Sequence, residues 1–125
     1  HPLLLEYEYY WRVEPGVQFM CNIDYDVFQW MKDHKKIYGF VIIINEIMET
    51  IPSLWKTVLE SQKKYLQKSF VDQSFIGYFG DPKPGGYNGC HFWSNFEIAS
   101  FSFYRSPEYQ KYFDDLDKAG GFFYE

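Results

Sequence analysis

Tyr9-Tyr10-Trp11-Arg12-Val13-Glu14-Pro15-Gly16 passes from a dense aromatic segment straight into a turn signal. Tyr7 to Val13 reads as a strand, and Glu14-Pro15-Gly16 closes it. Side chains alternate along a strand, so Tyr10, Arg12 and Glu14 share one face. Tyr9, Trp11 and Val13 share the other. A carboxylate at the end of a buried strand stands where open α/β sheets bind ligands. Glu14 in that place can ligate a hard divalent ion, Mg²⁺ or Mn²⁺, which in turn binds a diphosphate. The plainer alternative is an Arg12–Glu14 pair, or a strand-end charge facing water.

Working outward, strands and helices alternate. Asp24 or Tyr25 to Lys35 reads as a short helix with Val27, Phe28, Trp30 and Met31 on its apolar side. Lys35 and Lys36 suit its C-terminal end. Gly39 to Ile44 is a continuous β-branched run that fits a strand buried on both faces. Pro52 suits a first helical turn. Leu54, Trp55, Val58 and Leu59 then recur at helical spacing, extended by Tyr65 and Leu66. Asp72 to Gly89 is irregular. Ser106-Pro107-Glu108 starts a last helix, with Ser as N-cap and Pro at N1. It turns Tyr109, Tyr112, Phe113 and Leu116 inward and ends at Ala119-Gly120-Gly121. The order predicts an α/β fold.

Composition narrows the function classes. Phe 13, Tyr 12 and Trp 4 make 23% of the 125 residues aromatic, ample apolar surface for a folded core. The net charge of −5 gives no basic excess, which argues against a nucleic-acid or anionic-membrane surface. The longest apolar run, Phe40 to Ile44, is far short of the ~20 residues a membrane helix needs. Cys21 and Cys90 do not make a disulfide framework. They are read as buried thiols, as a pair, or as partners of cysteines elsewhere. No Gly-x-Gly-x-x-Gly, Walker, Cys-x-x-Cys or Gly-x-Ser-x-Gly string is present. His34 lies in a charged helix end and suits a solvated role.

Two further segments can carry chemistry. Asp24-Tyr25-Asp26 matches a D-x-D string, but two Asp at this spacing also suit the start of a helix. Capping is the preferred reading. Tyr87-Asn88-Gly89-Cys90-His91-Phe92-Trp93-Ser94-Asn95-Phe96-Glu97-Ile98 is dense in sugar-recognising side chains. Trp93 offers an apolar face for a pyranose. Asn95 and His91 offer hydrogen bonds to hydroxyls. Glu97 stands in an apolar stretch, where a carboxylate is either paired or functional. Such a carboxylate can stabilise, or attack, the positive carbon of a glycosyl transfer. The alternative is an aromatic core strand with one rim Glu.

Taken in order, Tyr9 to Val17, Cys21 to Asp26, Tyr38-Gly39-Phe40, Glu49 to Trp55, Cys90 to Ile98 and Gly120 to Glu125 form a specific set. The chain resembles the fungal α-1,2-mannosyltransferases of glycosyltransferase family 15, the glycolipid 2-α-mannosyltransferase group. The resemblance runs from His1 to Glu125 and is weakest over Asp72–Gly86. Asn22 stands where the family often has Asp. The resemblance implies a GT-A-like fold, a Rossmann-type mixed sheet flanked by helices. It implies a type II membrane enzyme with its catalytic domain in the Golgi lumen. The implied reaction is retaining transfer of mannose from GDP-mannose to the 2-hydroxyl of a mannosylated glycan, with Mn²⁺. Glu14 then matches the metal-binding glutamate, and Asp24 and Asp26 become structural. Glu97 matches the proposed nucleophile or transition-state stabiliser. His91, Trp93 and Asn95 fall to the sugar site, and Tyr10 is expected to face the substrate. Residues 1–125 are expected to be the central part of one catalytic domain, truncated at both ends. A histidine ligand, an Arg-Trp-Gly-Asp continuation, much of the nucleotide pocket and the membrane anchor are expected outside it.

Overall fold

The structure is a computed structural model that describes residues 2–65, 76–81, 83 and 85–125. Within them the chain divides into two units, His1–Ile43 with Phe92–Arg105, and Ile44–His91 with Ser106–Glu125. Leu66 and, in the irregular segment, Asp72 to Phe75, Pro82 and Pro84 lie outside the described residues. The class is α/β, as the alternation predicts.

The first unit is built on three strands, β1 (Tyr9–Val13), β2 (Tyr38–Phe40) and β5 (Phe96–Ser100). Their order is β1-β5-β2, with β5 in the centre and both pairings antiparallel. Register places Arg12 and Phe40 opposite Glu97, Trp11 and Gly39 opposite Ile98, and Tyr10 and Tyr38 opposite Ala99. Alternation then puts Tyr10, Arg12, Tyr38, Glu97 and Ala99 on one face, and Trp11, Gly39 and Ile98 on the other.

Each face has its own cover. Helix α1 (Val27–Asp33) lies on the Trp11 side. Its one buried side chain, Met31, reaches toward Gly39, and Phe28 meets the Trp11 ring edge-on at 6.3 Å. A Cβ on Gly39 would sit 2.9 Å from Cγ2 of Ile98, so close packing of β2 on β5 requires glycine there. On the Glu97 side, Phe101 and Tyr104 of the short helix α4 (Phe101–Tyr104) pack against the Tyr10 ring at 5.4 and 5.7 Å.

Asp26 caps α1, its Oδ1 accepting from the amides of Phe28 and Gln29. This is the capping role preferred above, and it occupies one oxygen of the D-x-D string. The run Gly39–Ile44 departs from expectation. It breaks after Phe40, because β2 pairs with β5 whereas β3 (Ile43–Asn45) pairs with β4 (Cys90–Phe92). Phe40 to Ile44 are 37–58% exposed rather than buried on both faces. The Trp93 amide donates to the Ile42 carbonyl in the first unit. The Glu46 amide donates to the Gly89 carbonyl in the second.

The second unit pairs α2 (Leu54–Tyr65) with α5 (Pro107–Ala119); the short α3 (Ile76–Phe79) and α6 (Gly121–Tyr124) complete it. Trp55 and Leu59 are buried. Phe113, expected inward, is 45% exposed and leans on Phe122 of α6 at 5.4 Å. The Ser106 hydroxyl accepts from the Tyr109 amide, Pro107 opens the helix, and Gly120 closes it at φ +83°. At the start of α2, the Ser53 amide and hydroxyl donate to the Glu125 carboxylate. An anion there complements the helix dipole. Cys21 and Cys90 are both free thiols. Among the described residues no helix is long and apolar enough to cross a membrane.

Two substitutions test this packing. Ser106→Ala is expected to lower unfolding stability by about 1 kcal/mol through the lost cap. Gly39→Ala is expected to cost about 1–3 kcal/mol through overpacking against Ile98. Urea denaturation of the full-length protein reads both, and an unchanged midpoint in either would contradict the corresponding contact.

Candidate active site

The site begins with a charge in an unusual place. Glu97 lies on the central strand β5 and is 8% exposed. An ionised carboxylate buried this far must be hydrogen-bonded, or it loses the favourable hydration it had in water. The neighbouring strands supply the donors. The Tyr10 hydroxyl donates to Oε1 at 2.6 Å, and the Tyr38 hydroxyl donates to Oε2 at 2.5 Å. Both tyrosines stand opposite Ala99, two residues along from Glu97, so the phenols converge on the carboxylate from either side.

A third phenol backs the first. The hydroxyls of Tyr10 and Tyr104 are 3.2 Å apart. Tyr10 carries one proton, and it is donated to Glu97, so Tyr104 supplies the proton of this second contact. Burial raises the pKa of Tyr10 well above the ordinary 10.0, and its bond to Glu97 raises it further. Tyr38 is raised likewise, by burial and then by its bond to Glu97. Burial also raises Tyr104. All three phenols therefore stay protonated at neutral pH and remain available as donors. The Phe92 ring stacks on Phe40 at 4.2 Å and tilts against Tyr38 at 5.5 Å.

Glu14 sits one residue past β1 on an exposed edge. Its Oε1 accepts from Nε of Arg12 at 2.8 Å and from Nη2 of Arg12 at 2.7 Å. The plain alternative of an Arg12–Glu14 pair is thus present in the structure. Nη1 of Arg12 donates to the Ser94 hydroxyl at 3.3 Å. The Glu14 amide donates to the Asn95 carbonyl at 3.2 Å, carrying the β1–β5 ladder one step further. Gly16 then turns the chain at φ +84°.

Of the residues singled out in the sequence, Tyr10 and Glu97 meet directly. Glu14 and Asn95 meet through their backbones. Trp93 is half-buried in the β4–β5 connection, its amide donating a hydrogen bond to the Ile42 carbonyl. His91 belongs to the second unit, where Nε2 lies 3.8 Å from Glu46 and Nδ1 lies 3.3 Å from the Gly89 carbonyl. Tyr38 and Tyr104 are site residues that the sequence reading missed. Neither carried a local signal, because Tyr38 reaches Glu97 only through strand pairing and Tyr104 reaches Tyr10 across a long sequence separation. Among the described residues no group of three His, Cys, Asp or Glu side chains gathers for a metal ion.

The whole chain, residues 1–125, matches the family described as glycolipid 2-alpha-mannosyltransferase. The chain belongs to this family. Glycolipid 2-alpha-mannosyltransferase 1 of Candida albicans is 54% identical over 123 residues, covering 98% of this chain and 28% of that protein. The glycolipid 2-alpha-mannosyltransferase of Saccharomyces cerevisiae is 48% identical over 126 residues, covering 100% and 28%. The chain thus spans less than a third of the length of these curated relatives. The crystal structure of core-mannan synthase A from Aspergillus fumigatus, in its Mn/GDP form, has a TM-score of 0.86 at 45% identity. It covers 100% of this chain and 36% of its own. The mannosyltransferase Ktr4p of S. cerevisiae in complex with GDP has a TM-score of 0.83 at 36% identity, covering 100% and 34%. The fold of this family member is therefore that of the solved mannosyltransferases.

The half-buried phenols give a pH signature. A group whose folded pKa lies above its unfolded value stabilises the fold fully below the unfolded value. For Tyr10 and Tyr38 that stability is lost as pH rises beyond 10.0, where the unfolded tyrosines ionise first. The urea midpoint of the full-length protein is expected to fall above this pH. The fall should be smaller in a Tyr10→Phe/Tyr38→Phe variant. An equal fall in both proteins would contradict the assignment.

Proposed function

We propose that the full-length protein is a retaining α-1,2-mannosyltransferase. It moves mannose from GDP-mannose to the 2-hydroxyl of a mannosylated glycan, on protein or lipid. Membership of the family supports the transfer. The Mn/GDP form of one solved relative and the GDP complex of another support the donor and the metal. The observation in this chain that carries the reading is Glu97, a buried carboxylate with both oxygens held by phenols. The reaction builds positive charge at the sugar carbon, and a preorganised anion stabilises that charge without reorganising. Two fixed hydrogen bonds suit Glu97 to that electrostatic task.

Glu14 fits a metal of the Mg²⁺ or Mn²⁺ class as a single ligand. It is a hard oxygen donor at an exposed strand end, and such ions commonly take one or two carboxylates with substrate phosphates and water. Bound there, Mn²⁺ would neutralise the charge that develops on the departing diphosphate. The Arg12 guanidinium, held on Glu14 and Ser94, fixes the direction of that carboxylate. Trp93 and Asn95 are assigned to sugar contacts. In this reading the protein works in the Golgi lumen on a membrane anchor outside this chain, with no nucleic-acid partner.

In the full-length enzyme, Glu97→Gln is expected to lower kcat by about 10²–10³-fold, the scale of losing one preorganised electrostatic group. Glu14→Ala is expected to lower turnover and raise the Mn²⁺ concentration needed for half-maximal rate. Steady-state assays with GDP-mannose and a mannoside acceptor measure both. Turnover near wild type in Glu97→Gln would remove Glu97 from the chemistry. Binding of mannoside without any response to GDP-mannose or Mn²⁺ would replace the enzyme by a non-catalytic sugar-binding module.

A further inference from the structure

The phenols around Glu97 are arranged more closely than burial alone requires. A carboxylate turns easily about its last side-chain bond, because that torsion is broad and roughly two-fold. One donor would satisfy one oxygen and leave the plane of the group free to swing. Here Tyr10 comes from β1 and Tyr38 from β2, so donors reach the two oxygens from opposite edges of the central strand. The residue between the two rings is Ala99, 1% exposed and opposite both tyrosines in register. Its small side chain leaves the space through which both phenols lean toward Glu97. Tyr104, one turn of α4 beyond β5, then bonds to Tyr10 from the far side.

We propose that Tyr10 and Tyr38 are positioning residues that clamp the Glu97 carboxylate in one orientation for mannosyl transfer, and that Tyr104 orients Tyr10 in turn. The proposal rests on the reading of Glu97 as the catalytic carboxylate. Tyr10, assigned from the sequence to the substrate, acts in this account through Glu97 instead. The clamp gives a rate effect and not an affinity effect. A carboxylate held in place before the sugar carbon becomes positive needs no reorganisation during the step. A misplacement of about 1 Å can cost on the order of 10²-fold in rate. The phenols stay protonated over the working pH range, so the clamp does not switch off near neutrality.

The test compares Tyr10→Phe, Tyr38→Phe, Tyr104→Phe and Glu97→Gln in the full-length enzyme at saturating Mn²⁺. kcat and KM are measured for GDP-mannose and for a mannoside acceptor, with GDP binding and thermal unfolding as controls for folding. Tyr10→Phe and Tyr38→Phe are each expected to lower kcat by about 10- to 100-fold, the scale of one hydrogen bond to a charged group. KM for both substrates should stay within about 2-fold, because the lost bonds are made to Glu97 and not to substrate. Tyr104→Phe should lower kcat by less. A wild-type kcat in both single variants, with Glu97→Gln inactive, would overturn the clamp and leave the catalytic Glu97 standing. A raised KM at unchanged kcat would overturn it in favour of substrate contact. A wild-type rate in Glu97→Gln would instead defeat the reading beneath it. The two tyrosines are tested singly, so misfolding of one variant leaves the other decisive.

Discussion

A buried carboxylate on the central strand of a three-stranded sheet sets the terms for everything around it. Leaving such an acceptor without partners would cost about 1–3 kcal/mol, and more for a charged group. The sheet meets this demand by register. Only with Arg12 and Phe40 opposite Glu97 do Tyr10 and Tyr38 stand one pleat away on the same face. A slip of one residue in either edge strand would turn its tyrosine to the opposite side. The carboxylate would then lose a donor. The Gly39–Ile98 approach and the cap on α1 hold the far side of the sheet, and so serve the same register from behind.

Chemistry and stability are coupled in this arrangement. The phenols that keep Glu97 from being an unsatisfied charge also aim it. Glu14 contrasts with it in every respect. It is half-exposed, paired to Arg12 and placed at a strand end, where a solvent-facing ion pair is worth little to stability. That exposure leaves Glu14 accessible to a metal and a diphosphate, whereas Glu97 is enclosed and suited to a fixed charge. One sheet thus offers two carboxylates in two environments, and the environments assign the roles.

Much of this was legible in the sequence because the signals are local. Ser106-Pro107 and Gly120 mark their helix, Asp26 marks the start of α1, and the alternation in Tyr9–Val13 places Tyr10 and Glu14 on one face. Glu97 stood out because a carboxylate in an apolar stretch needs a reason. What was not legible depends on pairing. The run Gly39–Ile44 gives no sign that it changes partner after Phe40, since periodicity does not name a strand's neighbour. For the same reason Tyr38 and Tyr104 could not be joined to Glu97 before the order β1-β5-β2 was known. The sequence reading singled out Glu14 and Glu97, and Tyr10 as a substrate contact, but not Tyr38 or Tyr104.

The central claim is that Glu97 is an ionised acceptor held by two protonated tyrosines. Neutron diffraction from deuterium-exchanged crystals of the full-length enzyme locates those protons directly. The account predicts a deuteron on the hydroxyl oxygens of both Tyr10 and Tyr38, each directed at a Glu97 oxygen, and none on the carboxylate. A deuteron on Glu97, or a Tyr10 or Tyr38 hydroxyl turned away from it, would contradict the account.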